Sequence, residues 1–480
     1  MFISLPFFYN MLSVRNPRTG ENDYTITPPT ASELALICTN LRTAQSAWQV
    51  AGVEHRITVL QRWKEAAERH KPALQAALVA DTGRKWESML EADLLFSSID
   101  RWCRIGREFF AEQAPKPSAV PFIEIRQDVQ PFPLVGVISP WNFPLLLSLI
   151  DAIPALVAGC AVIVKPSEIT PRFIKPLMDS VREVPELASV LAYIEGAGET
   201  GGDVINNVDL VCFTGSVATG RKVYHAAADR FIPAFLELGG KDAALVFEGA
   251  NLDHATSSLL WGSTANAGQS CLSVERIYVQ QSIYAEFVEL LTAKAQKLAF
   301  CYPDINAGQI GPIISEKQVT IINEHLRDAV EKGAQMRTGK GECEELGGGM
   351  WCFPTILTNV HHGMKVMTEE TFGPILPVMP FANEDEAIAL ANGTIFGLSG
   401  AVFAKTDAEA HRIGLQIQAG AISLNDSALT AIIHDGEKQS FKASGMGGTR
   451  MGAGAMRRFM RQRAFLTKTQ EVVSPWWYRV

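Results

Sequence analysis

Cys271 lies in the run Asn266-Ala-Gly-Gln-Ser-Cys-Leu-Ser273, between a helical stretch and a strand-like one. Thiolate sulfur is a strong nucleophile, and a small neighbour at Ser270 with Gly268 nearby would let a substrate approach closely. By its own surroundings Cys271 also reads as a packing thiol, one of eight cysteines in the chain, because free cysteine behaves as a small hydrophobe. Glu237, in Phe235-Leu-Glu-Leu-Gly-Gly-Lys241, closes an apolar strand and precedes two glycines. A carboxylate there projects towards a cleft and suits general-base work, although a solvated strand-end Glu would look the same. Asn142, in Ser139-Pro-Trp-Asn-Phe-Pro-Leu145, is held between two prolines that restrict the backbone. Its amide could donate to a developing oxyanion or simply satisfy a turn.

Two further segments suit a nucleotide. Lys165-Pro-Ser-Glu168 follows an apolar strand, and a Lys and a Glu at a strand's C-terminal end can hydrogen-bond a ribose. Phe213-Thr-Gly-Ser-Val-Ala-Thr-Gly220 follows another strand and opens a helix, whose N-terminal N–H groups can face a pyrophosphate near Gly215 and Ser216. This is neither the G-x-G-x-x-G fingerprint nor a Walker A loop, because Arg221-Lys222 stands where Lys-Ser/Thr is needed.

The elements around these residues set their positions. Residues 31–80 and 86–114 have helical composition, with Thr30 or Ser32 placed to cap the first helix. Phe122–Gln130 alternates partially and is ended by Pro131 and Pro133, as an exposed ribbon would be. From Leu134 strands and helices alternate, which implies a parallel sheet covered by helices and a nucleotide site at its strands' C-terminal ends. Residues 241–425 repeat the alternation, and Ser444–Gly454 is a Gly-rich loop. The expected organisation is a cofactor-binding domain (1–117 and 132–240), a catalytic domain (241–442), a ribbon (118–131 and 463–472) and a Gly-rich loop region (443–462).

Composition narrows the function. The net charge of −8 argues against a nucleic-acid partner, and the absence of any C-x-x-C or cysteine–histidine cluster argues against a bound metal. A chain of 480 residues needs no disulfide scaffold, so its thiols fit a reducing cytoplasm. The segment Leu145–Val164 is apolar, but Asp151, Pro154 and Gly159 interrupt it as a membrane span. The apolar N-terminus, Met1-Phe-Ile-Ser-Leu-Pro-Phe-Phe-Tyr, reads as an arm packed on the fold, with peripheral membrane contact as the alternative.

Together, Pro140-Trp-Asn-Phe-Pro, Lys165-Pro-Ser-Glu, Phe213-Thr-Gly-Ser, Glu237-Leu-Gly-Gly-Lys, Gly268-Gln-Ser-Cys and Glu370-Thr-Phe-Gly-Pro resemble the aldehyde dehydrogenase superfamily, in its order and at compatible spacings. The resemblance runs from about residue 30 to 470. It implies an α/β fold, with a Rossmann-like cofactor domain, an α/β catalytic domain and a small β-ribbon for oligomerisation. It implies Cys271 as nucleophile, Asn142 with the Cys271 backbone N–H as oxyanion hole, and Glu237 as base. It places Trp141, Lys165, Ser167, Glu168, Gly215, Ser216, Leu238, Glu370 and Phe372 around the cofactor, and Asn425 near the active site. NAD is expected over NADP, because Glu168 would repel a 2′-phosphate. The ribbon implies a homodimer or homotetramer.

Two departures from the family's pattern stand out. Lys438-Gln-Ser-Phe-Lys-Ala443 replaces a Pro-Phe-Gly-Gly segment, and Asp151 stands where many hydrolytic relatives carry Lys. Leu146, Leu147, Ile150, Ser270 and Leu272 are expected to line the substrate pocket, with no Arg or Lys among them. That favours an apolar aldehyde: long-chain, aromatic, or terpenoid such as an apocarotenal. The alternatives are a CoA-acylating relative, against which Glu237 speaks, and a non-catalytic relative, against which Cys271 speaks.

Overall fold

The computed structural model describes residues 11–111 and 114–478; the N-terminal arm expected at Met1–Tyr9 lies outside them. The chain's first half builds a six-stranded sheet around the buried strand Leu134–Ile138. Ala161–Lys165 and Leu191–Tyr193 extend it on one side, Leu210–Thr214 and Ala234–Glu237 on the other, all in parallel. The chain therefore leaves the central strand in both directions. That reversal opens a crevice between the C-terminal ends of Leu134–Ile138 and Leu210–Thr214, the usual nucleotide site of such sheets. The sixth strand comes from far away: Gly445–Met446 pairs antiparallel with Ala234–Glu237, Gly445 facing Glu237.

Why these segments are strands follows from their composition. Leu134–Ile138, Ala161–Lys165 and Leu210–Thr214 are runs of β-branched and apolar residues, buried at every position, as strands covered on both faces must be. Helix Pro144–Ala158 opens with Pro144 at its first turn and ends at Gly159, which takes a left-handed φ of 102°. Of the two expected caps, Thr30 is the one used: helix Ala31–Val50 starts there with a capping box, Thr30 Oγ1 accepting from Glu33 N while Glu33 accepts from Thr30 N. The long helical stretch after it breaks at Ala51, and a second helix runs Gly52–Thr82, carrying Pro72 within it. The third helix is Trp86–Phe109.

A second, seven-stranded sheet occupies the region 242–424, built around Val274–Gln280 and Asp242–Val246. Its one antiparallel edge is Gln335–Met336 against Thr355–Thr358. A third sheet is the ribbon. Ile123–Pro131 pairs antiparallel with Met460–Lys468 along nine residues, Met460 opposite Pro131. The Gly-rich region thus ends earlier than expected. Ala453–Phe459 is a 3₁₀ helix, and Met460–Gln462 already belong to the ribbon strand. Among the described residues no helix is long and apolar enough to cross a membrane.

Candidate active site

Cys271 follows a tight turn that the sequence alone did not announce. After helix Leu252–Thr264 the chain makes a short 3₁₀ turn over Ala265–Gly268, with left-handed φ values at Asn266 (55°), Ala267 (52°) and Gly268 (71°). A Cβ on Gly268 would lie 2.3 Å from the carbonyl carbon of Gly373, so only glycine lets the two backbones meet there. The Gln269 side chain staples the turn, donating to Asn266 O (2.9 Å) and Pro312 O (3.2 Å) and accepting from Ile314 N (2.8 Å). Of the eight cysteines, Cys271 is the one that is not buried outright. Burial pushes its thiol up to about 12; Lys438 opposes this, while Glu370, Asp242 and Glu237 add to it. The resting group is therefore S–H at neutral pH.

Asn142 is buried and tied to that turn. Its Nδ2 donates to Gln269 O at 3.0 Å, which leaves its second amide hydrogen free. Its carbonyl accepts from Arg84 Nη2 (2.8 Å) and Asn266 Nδ2 (3.1 Å). Arg84 in turn meets Glu91 at 3.3 Å, both buried, and Glu91 Oε1 accepts from Leu146 N (2.9 Å), capping the helix that Asn142 precedes. Burial raises the Glu91 carboxyl to about 7 against the pull of Arg84. Neither Arg84 nor Glu91 was singled out in the sequence, because nothing in their neighbourhood distinguishes them from ordinary helix charges.

Glu237 ends its strand, and its Oε2 accepts from Ser440 Oγ at 2.8 Å. Two cavities meet beside these residues. The larger, about 890 Å³, is lined by Trp141, Lys165, Ser167, Glu168, Gly215, Ser216, Leu238, Glu370 and Phe372, every position expected at the cofactor. The smaller, about 300 Å³, is lined by Glu237 and by all five expected pocket residues, Leu146, Leu147, Ile150, Ser270 and Leu272. Cys271 and Asn142 line both.

The larger cavity fits an extended nucleotide. Lys165 Nζ, buried and with its pKa lowered by that burial, donates to Glu168 at 3.4 Å. Ser216 caps helix Val217–Asp229, and Gly215, Ser216 and Thr219 at its start line the cavity. Glu370 Oε1 accepts from Gly240 N at 2.9 Å, and a Cβ on Gly239 would come within 2.4 Å of the Glu370 carboxylate. Burial lifts the Glu370 carboxyl to about 8. Phe372 holds a left-handed φ of 51° and meets the Trp141 ring edge-on at 5.4 Å. Its loop is fixed by Glu275, which accepts from Thr371 N (2.7 Å), Phe372 N (2.8 Å) and Lys241 Nζ (2.6 Å), with Glu275, Lys241 and Thr371 buried. Gly198, Glu199, Gly201, Gly202, Lys317, Gln318 and Ile321 complete this cavity, and no motif marked them in the sequence.

One expectation is corrected, and the fold defines two further features. Asn425 lines neither cavity; its side chain accepts from Ala404 N (2.9 Å) and donates to Asp407 (2.7 Å), which makes it a brace between strand ends. Beyond the five expected pocket residues, the smaller cavity takes basic groups from the C-terminal segment: His434, Lys438 and Arg450 reach its wall. Asp151 is a buried ion-pair partner of Arg450 and Arg458.

The comparisons with known proteins agree with this arrangement. The pattern of the Aldehyde dehydrogenase family matches residues 9–465. A 4,4′-diapolycopene aldehyde oxidase from Methylomonas sp is 37% identical over 405 residues, covering 83% of this chain and 74% of that one. A putative succinate-semialdehyde dehydrogenase [NADP(+)] 2 from Mycobacterium tuberculosis is 33% identical over 412 residues, covering 85% and 79%. Among solved structures, the putative aldehyde dehydrogenase PutA from Anabaena variabilis superposes with a TM-score of 0.96 at 58% identity, covering 98% of this chain and 100% of that one. The betaine aldehyde dehydrogenase of Staphylococcus aureus in complex with NAD+ gives 0.90 at 29% identity, covering 98% and 94%. With this match along nearly its whole length, and a thiol, an amide and a carboxylate gathered where two cavities join, the chain belongs to the aldehyde dehydrogenase family.

Proposed function

We propose that this enzyme oxidises an apolar aldehyde to its carboxylic acid with NAD, through a thioester on Cys271. The observation that carries the proposal is the meeting of the two cavities at Cys271 and Asn142, with Glu237 on the smaller side. An aldehyde seated in the smaller cavity places its carbonyl carbon at the sulfur. Because the resting thiol is protonated, attack must be coupled to proton removal, and Glu237 is a carboxylate in the same cavity wall. The free Asn142 amide hydrogen and the Cys271 backbone N–H receive the oxyanion of the thiohemiacetal. The larger cavity, lined by Lys165, Glu168, Gly215 and Glu370, would hold NAD, which would supply the hydride acceptor beside that carbon. Glu237, once it has released the thiol's proton to solvent, takes a proton from water as the water attacks the thioester; the C–S bond breaks, the acid leaves, and the departing sulfur takes the proton back from Glu237.

The walls support an apolar substrate. Trp86, Leu90, Leu94, Phe143, Trp261 and Met451 join the Leu and Ile residues already named. Trp86 (62%) and Ile432 (56%) remain exposed at the mouth, so an apolar chain would gain cover on entering. Arg450 is already engaged by Asp151, which leaves Lys438 as the basic group that could favour a charged substrate instead. A carboxylate in the position of Glu237 favours water over CoA as the acyl acceptor. Glu168, 40% exposed beside Lys165, favours a free 2′-hydroxyl and hence NAD over NADP. The ribbon's edge strand Met460–Lys468 exposes Phe465 and Leu466, and we assign it to pairing between subunits in a homodimer or homotetramer.

The test is NADH formation across aldehydes graded in length and shape, with NADP in parallel. Long or aromatic aldehydes should give the highest kcat/KM, and Cys271→Ala should abolish turnover. Substantial oxidation by that variant, or a preference for short semialdehydes bearing a carboxylate, would overturn the reading.

A further inference from the structure

Behind the strand that carries Glu237 lies a buried ionic triad that the reaction above does not use. Asp151, on helix Pro144–Ala158, accepts from Arg450 Nη2 at 2.7 Å and from Arg458 Nη1 at 3.0 Å, and all three side chains are out of solvent. Two cations face one anion, so the triad carries a net positive charge. A buried excess charge is costly unless another group answers it. Arg450 and Arg458 each also keep a buried Nε without a hydrogen-bond partner.

One further anion, Glu237, stands in the same cavity wall as Arg450, which lines the smaller cavity. The Arg458 guanidinium lies 4.5 Å over the ring of Phe235, two residues before Glu237 on the same strand. The segment bearing both arginines is bonded along that strand. Gly445 pairs with Glu237, Ser444 O accepts from Leu238 N at 2.8 Å, and Ser440 Oγ donates to Glu237 itself. Pinning Arg450 and Arg458 to Asp151 therefore fixes the backbone and the hydroxyl that hold the carboxylate.

We propose that Asp151, Arg450 and Arg458 form the positioning set of the general base, fixing Glu237 in place and holding it as a carboxylate by their net positive charge. This rests on Glu237 being the base. A guanidinium does not give up its proton, so the triad acts as a fixed field and a mount, with no share in proton transfer. The other titratable groups facing Glu237 are Cys212 from the neighbouring strand, Cys271 from the nucleophile turn, and Lys438 and His434 from the C-terminal segment. Glu87 and Glu91 from helix Trp86–Phe109 complete the cavity's charged wall. None of these is altered in the variants below.

The experiment is the pH profile of kcat with saturating NAD and a good aldehyde substrate. Arg450→Met removes a cation, so the acid limb should move up by about one pH unit, the size expected of a nearby buried charge. Asp151→Asn leaves two cations unanswered and should move the limb the opposite way. Arg450→Lys keeps the charge and should restore the wild-type limb even if kcat falls. A purely structural role would lower kcat at every pH without moving the limb, or move it the same way in both variants, and either result overturns the proposal. If Asp151→Asn does not fold, the contrast between Arg450→Met and Arg450→Lys decides alone. Glu237→Gln separates the layers. Full steady-state turnover in that variant removes the base assignment itself, whereas lost turnover there with an unmoved limb in Arg450→Met removes only the triad's role.

Discussion

Glu275→Gln should cripple the loop that carries Glu370 and Phe372 into the larger cavity. Glu275 is buried, and its two oxygens accept three bonds: Lys241 Nζ at 2.6 Å, Thr371 N at 2.7 Å and Phe372 N at 2.8 Å. Glutamine keeps the shape but removes the charge, and it turns one acceptor into a donor facing an N–H. Lys241, fully buried, then loses its counter-charge and keeps only Thr371 Oγ1 at 3.2 Å. Breaking a buried pair on one side costs about 3–5 kcal/mol. That is a large share of the roughly 5–15 kcal/mol of a typical folded protein. For cooperative unfolding of 480 residues the expected drop in melting temperature is about 3–5 °C. The KM for NAD should rise as well, because Glu370 and Phe372 flank the loosened Thr371. The Lys241→Met, Glu275→Met double variant removes both charges and should be less destabilised than Glu275→Gln, since no charge is left stranded. The measurements are thermal and urea unfolding followed by tryptophan fluorescence, with NAD titrations alongside. A Glu275→Gln protein within about 1 kcal/mol of wild type would refute the reasoning, since even one lost buried hydrogen bond costs about that much.

Other outcomes are equally specific. Asn142→Ala should lower kcat about 100- to 1000-fold with little change in KM, as loss of one oxyanion donor does, and a KM effect alone would count against that role. The Glu370 carboxyl, raised by burial from 4.5 to about 8, binds its proton more tightly folded than unfolded. It contributes stability below pH 4.5 that is lost as pH rises to about 8, so melting curves of the NAD-free enzyme should show Glu370→Gln gaining on wild type across that window. Equal pH slopes for the two proteins would sink this account. Thr30→Ala removes the capping box of helix Ala31–Val50 and should cost about 1 kcal/mol, read by urea unfolding, without touching activity.

Much of the site could be read from the sequence because its residues sit at the ends of strongly patterned elements. Asn142, Lys165, Gly215 and Glu237 each close or follow a short apolar strand, and parallel strands bring their C-terminal ends to one edge. Once strand identity and direction are known, convergence follows from topology. Resemblance then supplied what single residues could not, since Cys271 alone is indistinguishable from a packing thiol. Asn425 shows the limit of that inference: a matching residue in a matching motif serves here as a brace.

What the sequence alone determined was local and periodic: which segments are strands and helices, that a helix starts with a cap at Thr30 or Ser32, and which residues lie at strand ends. The tertiary structure alone decided how charges separated by hundreds of positions are paired. Asp151 meets Arg450 and Arg458 across about 300 residues, and Ser440 reaches Glu237 across 203. No spacing rule links such positions, because only the packing of the C-terminal segment against the strand of Glu237 makes them neighbours. Burial then gives those pairings their force, since a charge out of water must be answered by whatever the fold has placed beside it.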